Sequence, residues 1–175
     1  MDEAVRLALA KWPNVPSCTG WLRLSRRGEW WVPEGPIRHA GLRGFIGRNY
    51  LSTPDGRWYF QNGPQQVFVD LDYTPTILRL AAPDRLETHT GLPVAGLDSA
   101  WLDEHGNLLL GSEHGIALLD DRDLAGFLSA CRDRDGNPAD ENLLADLLQG
   151  KEGRVFWKGI LIQPIRSGSV AARYA

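Results

Sequence analysis

The sequence predicts an α+β fold of two similar subdomains, each a small antiparallel sheet with a helix packed on one face. Three observations predict it. A phrase of the form G-x-W-aromatic-apolar-x-x-G-P runs from Gly28 to Pro36 and again from Gly56 to Pro64. A turn glycine, a short aromatic strand and a Gly-Pro turn describe a hairpin. Stretches with a helical apolar stripe are separated by stretches with the alternating period of a strand. Finally, Leu42-Arg43-Gly44-Phe45-Ile46 is echoed by Leu124-Ala125-Gly126-Phe127-Leu128, which reads as a diverged internal duplication.

The elements follow in order. Residues 2–12 carry Val5, Ala8, Leu9 and Trp12 on one stripe, and Pro13 and Pro16 end the helix. Trp21–Leu24 and Glu29–Val32 read as strands around an Arg26-Arg27-Gly28 turn. Gly35-Pro36 leads into a helix from about Arg38 to Tyr50, with Leu42, Phe45 and Ile46 as its buried face. Gly56 opens the second aromatic strand, and Gln66–Tyr73 alternates like a half-buried strand. Thr76–Leu80 is expected to resume that sheet after Thr74-Pro75. The segment Ala81-Ala82-Pro83-Asp84 is read as the boundary. It gives an N-terminal subdomain at 1–83, with a helix and linker at 1–16, and a C-terminal one at 84–175. Beyond it, Trp101–Leu119 reads as a meander of short strands. Asp120 or Asp121 caps a helix from about Arg122 to Arg132, and a second helix spans about Asp140–Gln149. Gly153–Gly159 gives a turn, an aromatic strand and a turn before Ile160–Ile165.

Composition narrows the function classes. Seven tryptophans supply the apolar area that a loop-rich chain of 19 glycines and 11 prolines needs. A net charge of −3 and a pI near 5.8 argue against a general nucleic-acid binder. No apolar run is long enough for a bilayer span, and the start lacks the basic and apolar regions of a signal peptide. The expectation is a cytoplasmic protein whose two cysteines, Cys18 and Cys131, are free thiols, with a disulfide between them left open. The charge is uneven. Residues 1–60 hold nine basic and five acidic groups, whereas residues 84–152 hold five and fifteen. Either two oppositely biased halves pack together or the basic half faces an anion.

The run Arg27-Gly28-Glu29-Trp30, then Gly35-Pro36-Ile37 to Leu42-Arg43-Gly44-Phe45, then Asp55 to Tyr59 and Val67 to Pro75, resembles a proteobacterial domain family of unknown function. The resemblance implies a duplicated α+β fold and a ligand-binding or signalling role. It brings no active site to transfer.

Candidate residues come from the first half. Gly41, Gly44 and Gly47 make a bare strip along the predicted helix, at about 1 kcal/mol each relative to alanine. Such a strip serves close packing or an open backbone surface. Arg38, His39, Arg43 and Arg48 share that helix, whose N-terminus favours anions. The ligand-binding candidates are therefore Arg38, Arg43, Arg48, Trp30, Tyr59 and Asn62, in a groove between the halves. The ligand expected there is a small anionic molecule, with a protein partner as the alternative. No cofactor, metal site, catalytic residue, nucleic-acid partner or membrane contact is read.

Rival readings rest on other residues. Asp70 and Asp72 on one strand face, with His39, could serve a small hydrolase or transferase. Asp55–Asn62 resembles the central strand of a WW domain, and Trp30-Trp31 to Ile37 the opening of a GYF domain, so a proline-rich-peptide reader is a further alternative. A structural subunit of a complex would show a large apolar patch. Asp133–Asn137 resembles the start of an EF-hand loop, but Pro138 and Leu144 stand where glycine and glutamate are needed. Glu104-His105 and Glu113-His114 would lie at opposite ends of a strand, too far apart for one metal ion.

Overall fold

The computed structural model describes residues 1–82, 85–151 and 154–174. The first half contains α1 (Glu3–Lys11), β1 (Cys18–Leu24), β2 (Trp30–Val32), β3 (Gly35–Pro36), α2 (Ala40–Arg48), β4 (Tyr50–Ser52), β5 (Trp58–Asn62) and β6 (Gln65–Leu71). The second contains β7 (Ile77–Ala82), β8 (Arg85–Thr88), β9 (Leu97–Asp103), β10 (Leu108–Ser112), β11 (Gly115–Leu119), α3 (Leu124–Ser129), α4 (Glu141–Leu148), β12 (Phe156–Trp157) and β13 (Ile160–Ile165). A 3-10 turn at Asp121–Asp123 leads into α3, and two more, Ser167–Ser169 and Ala171–Arg173, close the chain.

The strands form two sheets. The first has the order β3-β2-β1-β6-β5-β4 and the second β12-β13-β9-β10-β11-β7-β8. Both contain the same five-strand path. In the first, β1 and β2 pair, β4, β5 and β6 form a meander, and β1 runs parallel to β6. In the second, β7 and β8 pair, β9, β10 and β11 form a meander, and β7 runs parallel to β11. The molecule is thus an α+β protein of two similar subdomains. Each sheet is antiparallel except where its first strand closes on its last, and where β13 adds in parallel to β9.

One turn recurs throughout. At Ser25–Glu29, Thr53–Arg57, Thr88–Leu92, Asp103–Asn107 and Asp133–Asn137 the fourth residue is a glycine with φ between +71° and +86°. Its N–H bonds the first residue's carbonyl, and the first residue's N–H bonds the fifth's carbonyl. The Ser, Thr or Asp side chain at the first position accepts a further backbone N–H, as from Asn107 to Asp103 Oδ1 at 2.8 Å. Glycine supplies the left-handed residue that closes such a loop.

The two cores differ in make-up. The first gathers Leu22, Leu24, Trp30, Ile46, Phe60 and Val69. The second is larger and mostly aliphatic, with Phe127 stacked on Trp157 at 4.7 Å. β10 is buried along its whole length. Leu108 and Leu110 join the core under α3 and α4, while Leu109 joins Ile77, Ile116, Leu118 and Val170 on the opposite face. A strand covered on both faces reads as a continuous apolar run rather than an alternation.

Several sequence expectations are corrected. The strand at 77–82 does not resume the first sheet; it pairs in parallel with β11. The change of sheet therefore falls between Leu71 and Ile77. Of the segment read as a boundary, Pro83 and Asp84 lie outside the described residues, as does Gly153; on either side of them Ala82 of β7 pairs with Arg85 of β8. Tyr50 begins β4 rather than ending a helix. Leu42 is 42% exposed, and Ile46 is the buried residue of α2. The helices α2 and α3 are not counterparts, because α2 lies inside the five-strand path and α3 follows it. Cys18 and Cys131, by contrast, are free thiols as expected.

Candidate functional site

The β1–β2 turn of the first half is wedged against the second. Gly28 there has φ +71°, and a Cβ on it would stand 2.6 Å from His89 Cβ. Gly47 of α2 also approaches Thr90, less tightly, a Cβ there falling 3.2 Å from Thr90 Cβ. Arg27 makes a two-pronged ion pair with Asp121, at 2.8 and 2.7 Å. Arg79 Nη2 donates to Arg27 O at 2.6 Å. Tyr50 donates its hydroxyl to Pro75 O, and burial holds its pKa above the usual tyrosine value. Part of the charge asymmetry is thus spent between the halves.

Two cavities flank the wedged turn, and Glu29 borders both. In one, of about 330 Å³, the charges are largely consumed: Arg27 is held by Asp121, and Arg26 donates to Asn107 and covers the Tyr73 ring at 4.6 Å. The other, of about 370 Å³, is richer in free polar groups. The first half lines it with Glu29, Trp30 and Arg43, the second with Arg79, His89 and Arg122.

On the second-half wall, Asp120 is 1% exposed and accepts from Arg122 Nε at 2.8 Å and from Arg122 Nη2. It also accepts the Arg122 backbone N–H, capping the 3-10 turn. Arg79 Nε lies 3.4 Å from Asp120 Oδ2, in ion-pair range but without hydrogen-bond alignment. Asp120 therefore gathers two guanidinium groups and neutralises one charge; with Arg79 Nη2 held by Arg27 O, the Nη1 groups of Arg79 and Arg122 are left without a hydrogen bond among the described residues. The Arg43 side chain, contributed by α2 of the first half, makes no hydrogen bond or ion pair among the described residues; its backbone N–H donates to His39 O at 3.1 Å.

His89 forms the floor. Its Nδ1 accepts from Ile77 N–H at 3.3 Å, so the proton sits on Nε2. That nitrogen is buried without a hydrogen-bond partner, beside the rings of Trp30 and Tyr50 at 5.4 and 5.8 Å. Burial first, and Arg79 second, push its pKa down to about 3, so the ring is neutral at ordinary pH.

Of the six sequence candidates, the structure brings Arg43 and Trp30 to this cleft. Trp30 is only 2% exposed and serves as its wall. Arg38 is exposed outside the cavity lining. Arg48 is held by Asp2 at 3.0 Å, joining α2 to the start of α1. Tyr59 packs on Phe68. Asn62 borders a separate apolar groove of about 340 Å³, flanked by exposed Trp21 and Leu42. Sequence reasoning missed Arg79, His89, Arg122 and Glu29.

The rival constellations are placed as follows. Asp72 pairs with Arg23 at 2.5 Å, Asp70 is exposed, and His39 spends Nδ1 capping α2 through Leu42 N–H at 3.1 Å. Glu104 accepts from Ser167, and Glu113 from Ala95 N–H. Among the described residues, no group of three or more His, Cys, Asp or Glu is placed to hold a metal ion. No helix among them is long and apolar enough to cross a membrane.

The chain belongs to the family described as protein of unknown function (DUF2946): the DUF2944 family model matches residues 1–172. Comparison with curated proteins gives no match. Among solved structures, a DUF1285 family protein from Silicibacter pomeroyi DSS-3 aligns with a TM-score of 0.51 and 17% identity, over 73% of this chain and 78% of that one. A DUF1285 family protein from Shewanella baltica OS155 aligns with a TM-score of 0.45 and 16% identity, over 61% and 88%. The first of these likenesses shows a shared fold.

Proposed function

We propose that this DUF2946 family member is a non-enzymatic module that binds a small anion between its two halves, in regulation or signalling. One observation carries the reading: a guanidinium pair gathered by buried Asp120 lines the same cleft as Arg43, whose side chain makes no hydrogen bond or ion pair among the described residues. Fixed guanidinium groups in a concave, partly desolvated site suit carboxylates and phosphates. The separate engagements of Asp72 and His39 weigh against a carboxylate-based hydrolase. The shared five-strand path is read here as an internal duplication whose seam became the binding cleft.

The test is calorimetry with inorganic phosphate, pyrophosphate and a panel of carboxylic acids. At least one is expected to bind saturably. Arg43→Gln should weaken it roughly ten-fold or more, the scale of a lost charge-assisted hydrogen bond. Because the Arg43 side chain is exposed and holds no hydrogen-bond or ion-pair partner among the described residues, the melting temperature without ligand should stay put. A panel without binding, or binding indifferent to Arg43→Gln, would refute the proposal.

A further inference from the structure

We propose that the ligand of this cleft is an acidic amino acid, a molecule with two carboxylates and one ammonium group. The inference rests on the anion-binding reading and specifies its ligand.

The argument is charge complementarity. Five ionised side chains border or hold the cavity: Arg43, Arg79, Arg122, Glu29 and Asp120. Asp120 is the internal counter-charge of Arg79 and Arg122, so those three form one net cationic pole. Arg43, contributed by the first half, forms a second. Glu29 is the anionic pole. Its backbone N–H is taken by Ser25 Oγ at 3.1 Å, but its exposed carboxylate makes no hydrogen bond or ion pair among the described residues. The nearby Arg122 is committed to Asp120.

The cleft thus offers two cationic poles, one from each half, and one anionic pole, Glu29, from the β1–β2 turn. A monoanion leaves one guanidinium pole unused. A plain dianion uses both but offers no cationic group to Glu29. A net −1 molecule with two carboxylates and an ammonium engages all three. A cavity of about 370 Å³ admits a molecule of that size with accompanying water. Trp30 and neutral His89 provide a floor without further charge.

The experiment titrates the full chain with L-aspartate, L-glutamate, glutarate, 4-aminobutyrate and inorganic phosphate. One of the two amino acids is expected to bind tightest. Glutarate, lacking the ammonium, should bind roughly ten-fold more weakly, and 4-aminobutyrate, lacking a carboxylate, at least as much more weakly. Glu29→Gln, at an exposed position, should erase the preference for the amino acid over glutarate while glutarate still binds. Glutarate or phosphate binding as well as both amino acids would overturn this proposal and leave the anion-binding reading standing. So would a preference unchanged by Glu29→Gln. Failure of all five probes to bind would overturn the inference, and the anion-binding reading too if the wider panel also failed.

Discussion

The two sheets lay down the same five-strand path, yet they are stabilised differently. In the first half the path is interrupted by α2, and its small core, four aliphatic side chains with Trp30 and Phe60, opens onto the groove beside Phe60. In the second half the path runs uninterrupted by a helix, α3 and α4 follow it, and β10 is covered on both faces. Placing α2 inside the path puts Arg43 over the seam. Placing α3 after the path brings Asp120 and Arg122 there from the other side. A common strand order fixes where the seam lies, and the different helix placements decide what chemistry reaches it.

The sharpest way to break this comparison is to remove one large ring from each core. Phe127 is 1% exposed and stacked on Trp157, in a closed core. Phe127→Ala should cost about 4 kcal/mol, transfer and cavity terms together. Phe60 is 6% exposed and borders the open groove, so the space left by Phe60→Ala joins solvent-accessible volume. Its expected loss is smaller, nearer about 3 kcal/mol. Urea unfolding of both variants measures the difference. Equal losses, or a larger loss at Phe60, would contradict the contrast between closed and open cores.

The recurrent turn allows a finer comparison. Gly28, Gly106 and Gly136 occupy the same left-handed position in three copies. Alanine at Gly106 or Gly136 meets nothing closer than 3.8 Å, so its cost is mainly conformational, about 1–2 kcal/mol. Gly28→Ala carries that cost and also drives a methyl into His89. Overpacking adds about 1–3 kcal/mol. The excess at Gly28 over Gly106 measures how firmly the halves dock. Equal destabilisation of the two would show that the wedge contributes nothing.

These turns also show what was legible in the sequence. Ser, Thr or Asp three residues before a glycine, with strand residues on both sides, is a local signal with a local cause. The turns at Gly28, Gly56 and Gly106 were readable for that reason, and α1 and α4 were readable from their stripes and ends. Long-range pairing was not. Nothing in Ile77–Ala82 distinguishes a strand that continues the first sheet from one that closes the second, because a parallel partner lies a long connection away. Tyr50 was hidden because it sits where the helical stripe of α2 runs into β4. At the cleft, Arg43 was readable as part of a basic helix. Arg79, Arg122 and Glu29 each look like an ordinary surface charge until docking of the halves brings them together.

The smallest expected effect concerns the seam itself and is read through pH. His89 is packed between Trp30, Tyr50 and Gly28, with Arg79 as the nearby charge, and its folded pKa is about 3 against an ordinary 6.5. Below pH 6.5 the unfolded chain takes up a proton that the folded chain refuses. The associated stability is full above about pH 6.5 and is lost progressively as pH falls toward 3. At pH 5.5 the loss should be about 1 kcal/mol relative to neutral pH. Glu104 and Asp121 are held down to about 2 by their hydrogen-bond partners, so their own contributions fade only below the ordinary carboxylate range. The interval from pH 6.5 to 5 therefore isolates the histidine. His89→Gln, which keeps a side-chain acceptor for the Ile77 N–H, should flatten the urea midpoint across that interval while lowering it by a constant amount. A slope identical to that of the unsubstituted chain would mean that the seam does not bury this imidazole in solution.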